Sequence, residues 1–433
     1  MRKKKIQVIF TNDQWHVVDK LRGKMGESDA DLVRNIVISW LSEKSLMTSD
    51  QQASGGKFYF VDLFCGAGGL SKGLEMAGME CALGVDFDKP ATRTFAQNHK
   101  NSAVFDGDIS KLTETKLKSF IDGKKIRLVC GGPPCQGMST VGKGDPNDPR
   151  NFLFKEFVRI VDILRPDYVL LENVTGMVGR KNKAIVEGIL REFKRMGYRM
   201  EPKVLTASNY GVPERRRRTI FLGNRLGYKT FWPEIEYDIK TSPSKTVGEA
   251  LRDLSTENGE IHNHDIESAK IMDKKDAERL RHIPEGCGIR YEEDETSYLP
   301  RELWLGVDWK KIDEGRFRQT KYQRLDRRKP SPTIMTGRYS YYHPVEPRFI
   351  TVREAAAVQS FPNDFVFEGT ISQQWRQVGN AVPPLMARAL GLAILKSDAE
   401  KVPAMETHVA IEHVRKRAFD YKTLDVTQTR LPD

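Results

Sequence analysis

A cysteine stands directly after two prolines in GGPPCQG (131–137). Prolines are stiff and glycines permit turns that other residues resist, so Cys135 is expected in a rigid loop. The loop follows an apolar run, at the carboxyl edge of a strand, where open α/β folds place their sites. Such a cysteine is positioned rather than packed, and its chemistry is that of a thiolate nucleophile. Cys65, Cys81 and Cys130 read instead as core residues. The chain has five cysteines, an odd number, and no CxxC pair, so neither a disulfide framework nor a metal site is expected.

Three further segments carry chemistry. In LLENV (170–174), Glu172 and Asn173 emerge at the tip of a buried strand, where a carboxylate is costly unless it has a task. In NYGVPERRRRTIFLG (209–223), four arginines precede an apolar strand. Alternate strand residues share a face, so Arg216 and Arg218 are expected to point the same way and bind phosphate or carbonyl oxygens. Arg215 and Arg217 read as solvated. In VDLFCGAGGLSKGLEMAG (61–78), a strand, a glycine-rich turn and a helix follow one another. Gly66, Gly68 and Gly69 let backbone N–H groups approach an anion at the helix N-terminus. Asp86, at the end of the next strand, suits a ribose diol. Together these imply a nucleoside-containing cofactor. The turn reads G-x-G-G, a departure from the dinucleotide fingerprint that points away from a nicotinamide.

The elements that must position these residues are legible as apolar runs. FYFVDLF (58–64), CALGVDFD (81–88), IRLVCGG (126–132) and YVLLENV (168–174) read as buried strands separated by helical segments. That pattern predicts an α/β fold whose parallel sheet is covered on both faces. From about residue 240 the pattern loosens, and 255–330 has no clear period. Regular structure returns at VREAAAVQSFP (352–362) and QVGNAVPPLMARALGLAILK (377–396), ahead of a polar tail.

Residues 1–48 form a separate unit. KKIQVIFT alternates as a strand does; NDQWHVVDKLRGKM reads as a helix capped by Asn12 and ended by Gly26; SDADLVRNIVISWLSEK reads as a second helix capped by Ser28. A strand and two helices in this order resemble the ribbon-helix-helix DNA-binding fold, in which two chains pair their strands. A small dimerisation or capping unit fits the pattern equally. SDQQASGG (49–56) is a flexible linker by composition.

The 433 residues allow two or three domains, and 39% hydrophobic with 30% charged content fits a globular protein. No apolar run is read as a membrane span and no signal peptide is read at the start, so no membrane partner and a cytoplasmic location are expected. The net charge of +11 points toward a polyanion, with nucleic acid first.

Taken in order, DLFCGAGGLSKGLEMAG, GVDFD, GDI (107–109), GGPPCQG, ENV, ASNYGVPERRRR, KPSPTI (329–334), REAAAVQSFP and QVGNAVPP resemble the DNA (cytosine-5)-methyltransferase family over residues 58–396. The resemblance implies a Rossmann-like methyltransferase fold that uses S-adenosylmethionine, with duplex DNA as the partner. It implies a catalytic domain over 57–239 and 346–398, a target-recognition domain over 240–345 and a polar tail over 399–433. Phe64 and Asp108 with Ile109 would meet the adenine, Asp86 the ribose, and Asn380 would return beside the glycine turn. Cys135 would add to carbon 6 of a flipped cytosine, Glu172 would hydrogen-bond N3 and the exocyclic amine, and Arg218 would hold O2 with Arg216 in support. Arg281, Arg290, Trp304, Arg316, Arg318, Tyr322, Arg324, Arg338 and Tyr339 would be candidates for groove contacts. The family pattern has Glu where Asp86 stands and Gln where Glu214 stands. A restriction–modification or orphan enzyme is implied, in a prokaryotic, nucleoid-associated setting. Any cognate endonuclease would not touch the chain, and a homodimer through 1–48 is allowed. The readings weighed against this one are RNA cytosine-5 methylation on the same fold, a DNA-binding regulator with an inactive transferase domain, and a nicotinamide dehydrogenase.

Overall fold

The computed structural model describes residues 9–22, 28–30, 32–34, 36–37, 56–133, 149–237, 244–311, 322–337 and 341–404. The loop with Cys135, the strand expected before residue 9, Gly26, the linker at 49–55, Arg316, Arg318, Arg338, Tyr339 and the tail from 405 lie outside them. The chain divides into two compact units, Met1–Lys57 and Phe58–Asp433.

In the first unit, helix α1 spans Asn12–Asp19. Its cap is Thr11 rather than the expected Asn12. The Thr11 hydroxyl accepts from Gln14 N at 3.3 Å while the Gln14 side chain accepts from Thr11 N at 3.0 Å, a reciprocal box that satisfies two otherwise unpaired donors. Phe10 and Trp15, flanking that box, bring their rings to 5.6 Å and set the angle at which the chain enters the helix. Residues 29–30, 32–34 and 36–37 are helical, Leu32 N bonds back to Ser28 O at 2.9 Å, and Leu32 is fully buried.

The second unit is built on strands β1 (Tyr59–Leu63), β2 (Glu80–Asp86), β3 (Ala103–Asp106), β4 (Ile126–Gly131), β5 (Tyr168–Val174), β6 (Arg199–Thr206) and β7 (Arg217–Asn224). They form one sheet in the order β3-β2-β1-β4-β5-β7-β6. The expected parallel sheet holds for the first five strands, but β7 runs antiparallel to both β5 and β6. Beta strands alternate their faces. Val61, Leu63, Val129, Val169 and Leu171 therefore pack against helices α4 (Glu114–Ile121), α5 (Pro149–Leu164) and α6 (Lys183–Arg195). Phe60, Leu128, Cys130 and Leu170 face the other way, toward α2 (Gly69–Met76), Phe95 of α3 (Lys89–Asn98) and the last helix.

Beyond the sheet come α7 (Lys274–His282) and α8 (Glu292–Tyr298), around a small cluster of Ile283, Ile289 and Leu299. Then follow α9 (Val352–Val358), α10 (Ile371–Asn380) and α11 (Pro384–Glu400). The stretch Ile371–Glu400 is long and apolar enough to cross a membrane, which the sequence reading overlooked. Pro383 and Pro384 break it into two helices, since proline cannot continue one. Met386, Ala387, Leu390 and Ile394 of α11 are buried against the sheet, so its apolarity is that of a core helix.

The contact between α2 and α11 needs a glycine. A Cβ added to Gly73 would overlap Pro384 O and the Ala387 Cβ. Gly73→Ala should therefore destabilise the protein by about 1–3 kcal/mol, despite alanine's better helix propensity. A thermal melt of the full chain measures this; an unchanged or raised midpoint would contradict the packing argument.

Candidate active site

The carboxyl ends of β1, β2, β4 and β5 open onto one cavity of about 1000 Å³, a volume large enough for a nucleoside-bearing ligand. The chain leaves β1 through Phe64, whose φ of +62° places it in the left-handed region that a bulky residue rarely adopts. Gly66 and Gly68 continue the turn at φ +53° and +94°. Gly66 N donates to Asp86 Oδ2 at 2.8 Å, and Asp88 N donates to Asp86 Oδ1 at 2.9 Å. Burial pushes the Asp86 carboxyl up, and these N–H groups pull it back. A carboxylate has about four lone-pair sites, so the N–H groups of Gly66, Asp88 and Phe87 leave acceptor capacity for a hydroxyl. Phe64, Gly66, Gly69, Asp86 and Asn380 all line the cavity, with Phe87, 72% exposed, beside them. An acid with open lone pairs, aromatic rings and a glycine cradle suit a nucleoside.

Three expected cofactor residues stand elsewhere. A Cβ on Gly68 would strike His99 and Phe95, so this glycine serves close packing on the side of α3 and is not part of the lining. Ile109 is buried in the core against the sheet. Asp108 uses its carboxylate to cap the following turn, accepting from Ser110 N at 3.0 Å. Neither belongs to the cavity lining.

The sequence reading missed Asp62. It lies inside the apolar run of β1, is 1% exposed and lines the cavity. Ser71 Oγ donates to Asp62 Oδ2 at 2.6 Å, yet burial still pushes the carboxyl up to about 7. A carboxylate in the middle of a buried strand was the available signal. Cys65, Cys81 and Cys130 are buried thiols pushed up by burial.

The other end of the cavity holds Glu172, Asn173, Gly132 and Pro133. In the β5–β7 register Val174 pairs with Arg218, which sets that guanidinium beside Glu172: Arg218 Nε stands 2.7 Å from Glu172 Oε1. Asn173 Nδ2 donates to Pro133 O at 3.1 Å, tying the tip of β5 to the start of the cysteine loop.

Arg216 does not join them. It is fully buried, and its two terminal nitrogens donate to Ile334 O at 3.3 Å and Gly379 O at 2.8 Å. Burial lowers its pKa to about 10. The expected shared face fails because Arg216 precedes β7, where strand alternation has not begun. It is a positioning residue. Glu214, also fully buried, accepts from Ile334 N at 2.5 Å through Oε1 and lies 4.0 Å from Arg216; Oε2 has no partner. Burial pushes Glu214 up to about 7 against the pull of Arg216. Among the expected groove residues, Arg324 is buried, donating to Leu280 O and Ile283 O at 3.1 and 2.9 Å, so it holds local structure. The Tyr322 hydroxyl is engaged with Asp276 at 2.8 Å, and the Trp304 indole donates to Leu299 O at 3.1 Å.

The family model for C-5 cytosine-specific DNA methylase matches residues 58–396. The chain is 34% identical over 347 residues to the Type II methyltransferase M1.HphI of Haemophilus parahaemolyticus, covering 79% of this chain and 88% of that protein. It is 32% identical over 404 residues to the Type II methyltransferase M.DdeI of Desulfomicrobium norvegicum, covering 83% and 94%. Among solved structures, a chain described as a DNA modification methyltransferase encoded within an E. coli prophage aligns with a TM-score of 0.59 at 26% identity, covering 79% of this chain and all of that one. The S. pombe Dnmt2 methyltransferase shares the fold, with a TM-score of 0.53 at 18% identity over 79% of this chain and 99% of that one.

Glu214 and Asp62 carry a pH signature. The folded protein keeps protons on both up to about pH 7, which the unfolded chain releases near their ordinary 4.5 and 3.8. Their contribution to stability therefore falls as pH rises from about 4 to 7. Glu214→Gln removes its share, so the variant should gain on the order of 1–3 kcal/mol over the parent at pH 8 and little at pH 5. Denaturant unfolding at both pH values tests this; a gain independent of pH would refute it.

Proposed function

This chain belongs to the family of C-5 cytosine-specific DNA methylases, and on that premise we propose that Cys135, Glu172 and Arg218 perform the transfer. The reaction is methylation of carbon 5 of cytosine in duplex DNA, with S-adenosylmethionine as donor. The observation that carries the assignment is the 2.7 Å contact of Arg218 with Glu172, in the cavity that also holds Asp86 and the glycine turn.

Carbon 5 of cytosine is a poor nucleophile. Cys135, as thiolate, adds to carbon 6 and turns the ring into an enamine, so electron density reaches carbon 5. Glu172 hydrogen-bonds N3 and the exocyclic amine, which favours the protonated, electrophilic ring. Arg218 has five donors and holds O2 with those that Glu172 and Arg217 O leave open. Arg216 acts at one remove, by fixing the start of β7. S-adenosylmethionine, when bound, supplies a methyl group on a cationic sulfur. Phe64, Gly66, Gly69, Asp86 and Asn380 hold it at the other end of the cavity. Once carbon 5 carries the methyl group, it loses its proton to water, the Cys135–carbon 6 bond breaks with its electron pair returning to sulfur, and the aromatic ring and the thiolate are restored. The cytosine reaches this cavity only when flipped out of the duplex.

We further assign the region 240–345 to target reading, within a methylase whose catalytic part spans 57–239 and 346–398. We keep Asp108 and Ile109, in the turn after β3, as the residues that face the adenine edge. The enzyme acts in the cytoplasm at the nucleoid, in a restriction–modification system or alone, without contact to an endonuclease. Residues 1–48 pair two chains as a ribbon-helix-helix unit; their separation from the family domain supports this reading.

The purified chain, with labelled S-adenosylmethionine and unmethylated duplex DNA, should yield 5-methyldeoxycytidine by mass spectrometry. Cys135→Ala should abolish it, and Glu172→Gln should lower kcat by about 10²–10⁴-fold. Methylation that persists in Cys135→Ala, or label found in RNA alone, would overturn the assignment. Light scattering should give a dimer for the full chain and a monomer for one starting at residue 57; equal masses per chain would refute the N-terminal pairing.

A further inference from the structure

The turn that follows β5 carries a feature that the catalytic assignment leaves unused. Glu172, Asn173, Val174, Gly176, Gly179, Arg180 and Asn182 come from one short segment, and all line the cavity. Arg180 is exposed, and among the described residues no carboxylate pairs with it. The other cavity-lining cations stand beside the adenosine end: Lys89 begins α3 next to Asp88, and Arg376 is held by Asp88 at 2.9 Å. Arg180 alone among them belongs to the segment that supplies Glu172.

The turn is preorganised. Gly179 N bonds to Gly176 O and Asn182 N to Gly179 O, each at 3.0 Å. Asn182 is 9% exposed, and its Nδ2 donates to Gly176 O at 2.8 Å. Its Oδ1 is buried without a donor, so one acceptor at the cavity wall is left open. Val174, between Glu172 and Arg180, is 57% exposed, a large apolar side chain left uncovered at the cavity wall. A carboxylate, an apolar surface and an exposed guanidinium follow each other along one hydrogen-bonded segment. A flipped cytidine presents a polar base edge, a sugar and a phosphate.

We propose that Arg180 grips a backbone phosphate flanking the flipped cytosine, with Val174 against its sugar and Asn182 holding the turn. The inference rests on the methylase reading and names a DNA contact of the same site. Guanidinium–phosphate pairing is charge-assisted and frequently bidentate, which suits a cation that must catch a swinging nucleotide. No bond is made or broken. The gain is in how long the extruded nucleotide stays seated.

Steady-state methylation of unmethylated plasmid DNA, with tritiated S-adenosylmethionine and a range of salt, tests this on the full chain. Arg180→Ala should raise KM for DNA by about five- to thirty-fold and leave KM for S-adenosylmethionine within two-fold. The slope of log affinity against log salt should fall by about one, the signature of one lost phosphate contact. Arg180→Lys should recover most of the salt slope. Asn182→Ala should raise KM for DNA without changing that slope, since it loosens the turn but removes no charge. A raised KM for S-adenosylmethionine with DNA unaffected would assign the guanidinium to the cofactor's carboxylate and overturn the inference. An unchanged salt slope in Arg180→Ala, with a methylating parent, would overturn it while leaving the methylase reading intact. A parent that transfers no methyl group to DNA would overturn both.

Discussion

A single buried cation joins the distant parts of this molecule. Arg216 has no access to water; its two terminal nitrogens donate to Ile334 O and Gly379 O, while Nε has no partner. Those carbonyls lie 118 and 163 residues away in the chain. Removing a guanidinium from water is costly unless it is hydrogen-bonded, so the arrangement persists only while all three segments stay docked. The start of β7, the strand that carries Arg218, is thereby held against the 331–334 segment and the end of α10. Asn380, the next residue after Gly379, is placed in the cavity wall by the same contact.

The sheet distributes the chemistry around that anchor. Parallel strands end on one edge, and β1, β2, β4 and β5 each bring a segment of the proposed site there: the glycine turn, Asp86, the start of the proline-flanked loop and Glu172. Reversal of β7 brings its first residues to the same edge from the opposite direction. An all-parallel seventh strand would have left Arg218 at the far edge of the sheet. The antiparallel pairing therefore decides whether the carboxylate and guanidinium meet.

Electrostatics in the cavity and in the buried layer beside Arg216 is uneven. Asp62 and Glu214 are each pushed toward neutrality by burial, and Asp86 is pushed the same way but steadied by backbone N–H groups. Asp86, the acid expected to touch ribose, lines the cavity with each oxygen held by a backbone N–H. Glu214 stands where the resemblance implies a glutamine, and its protonated form has the same neutral, hydrogen-bonding shape. This explains how a carboxyl can stand beside Arg216 in a fully buried site.

The sequence by itself determined the strands with continuous apolar runs, because a buried parallel strand needs nothing else. Thus β1, β2, β4 and β5 were legible, and so was the placement of Glu172 and the glycine turn at their tips. Short β3 and half-polar β6 carried too little pattern. Chain-local rules put Arg216 and Arg218 on one face, yet the strand begins only at Arg217, and long-range carbonyls captured Arg216. The cap moved from Asn12 to Thr11 because a reciprocal bond with Gln14 satisfies two donors. Gly68, Asp108 and Ile109 met packing partners and turns that no spacing encodes. The types of residue that do chemistry are written in the chain, since chemistry needs particular atoms. Which of them face the same cavity depends on strand direction and on contacts across more than a hundred residues, and those exist only once the chain has folded.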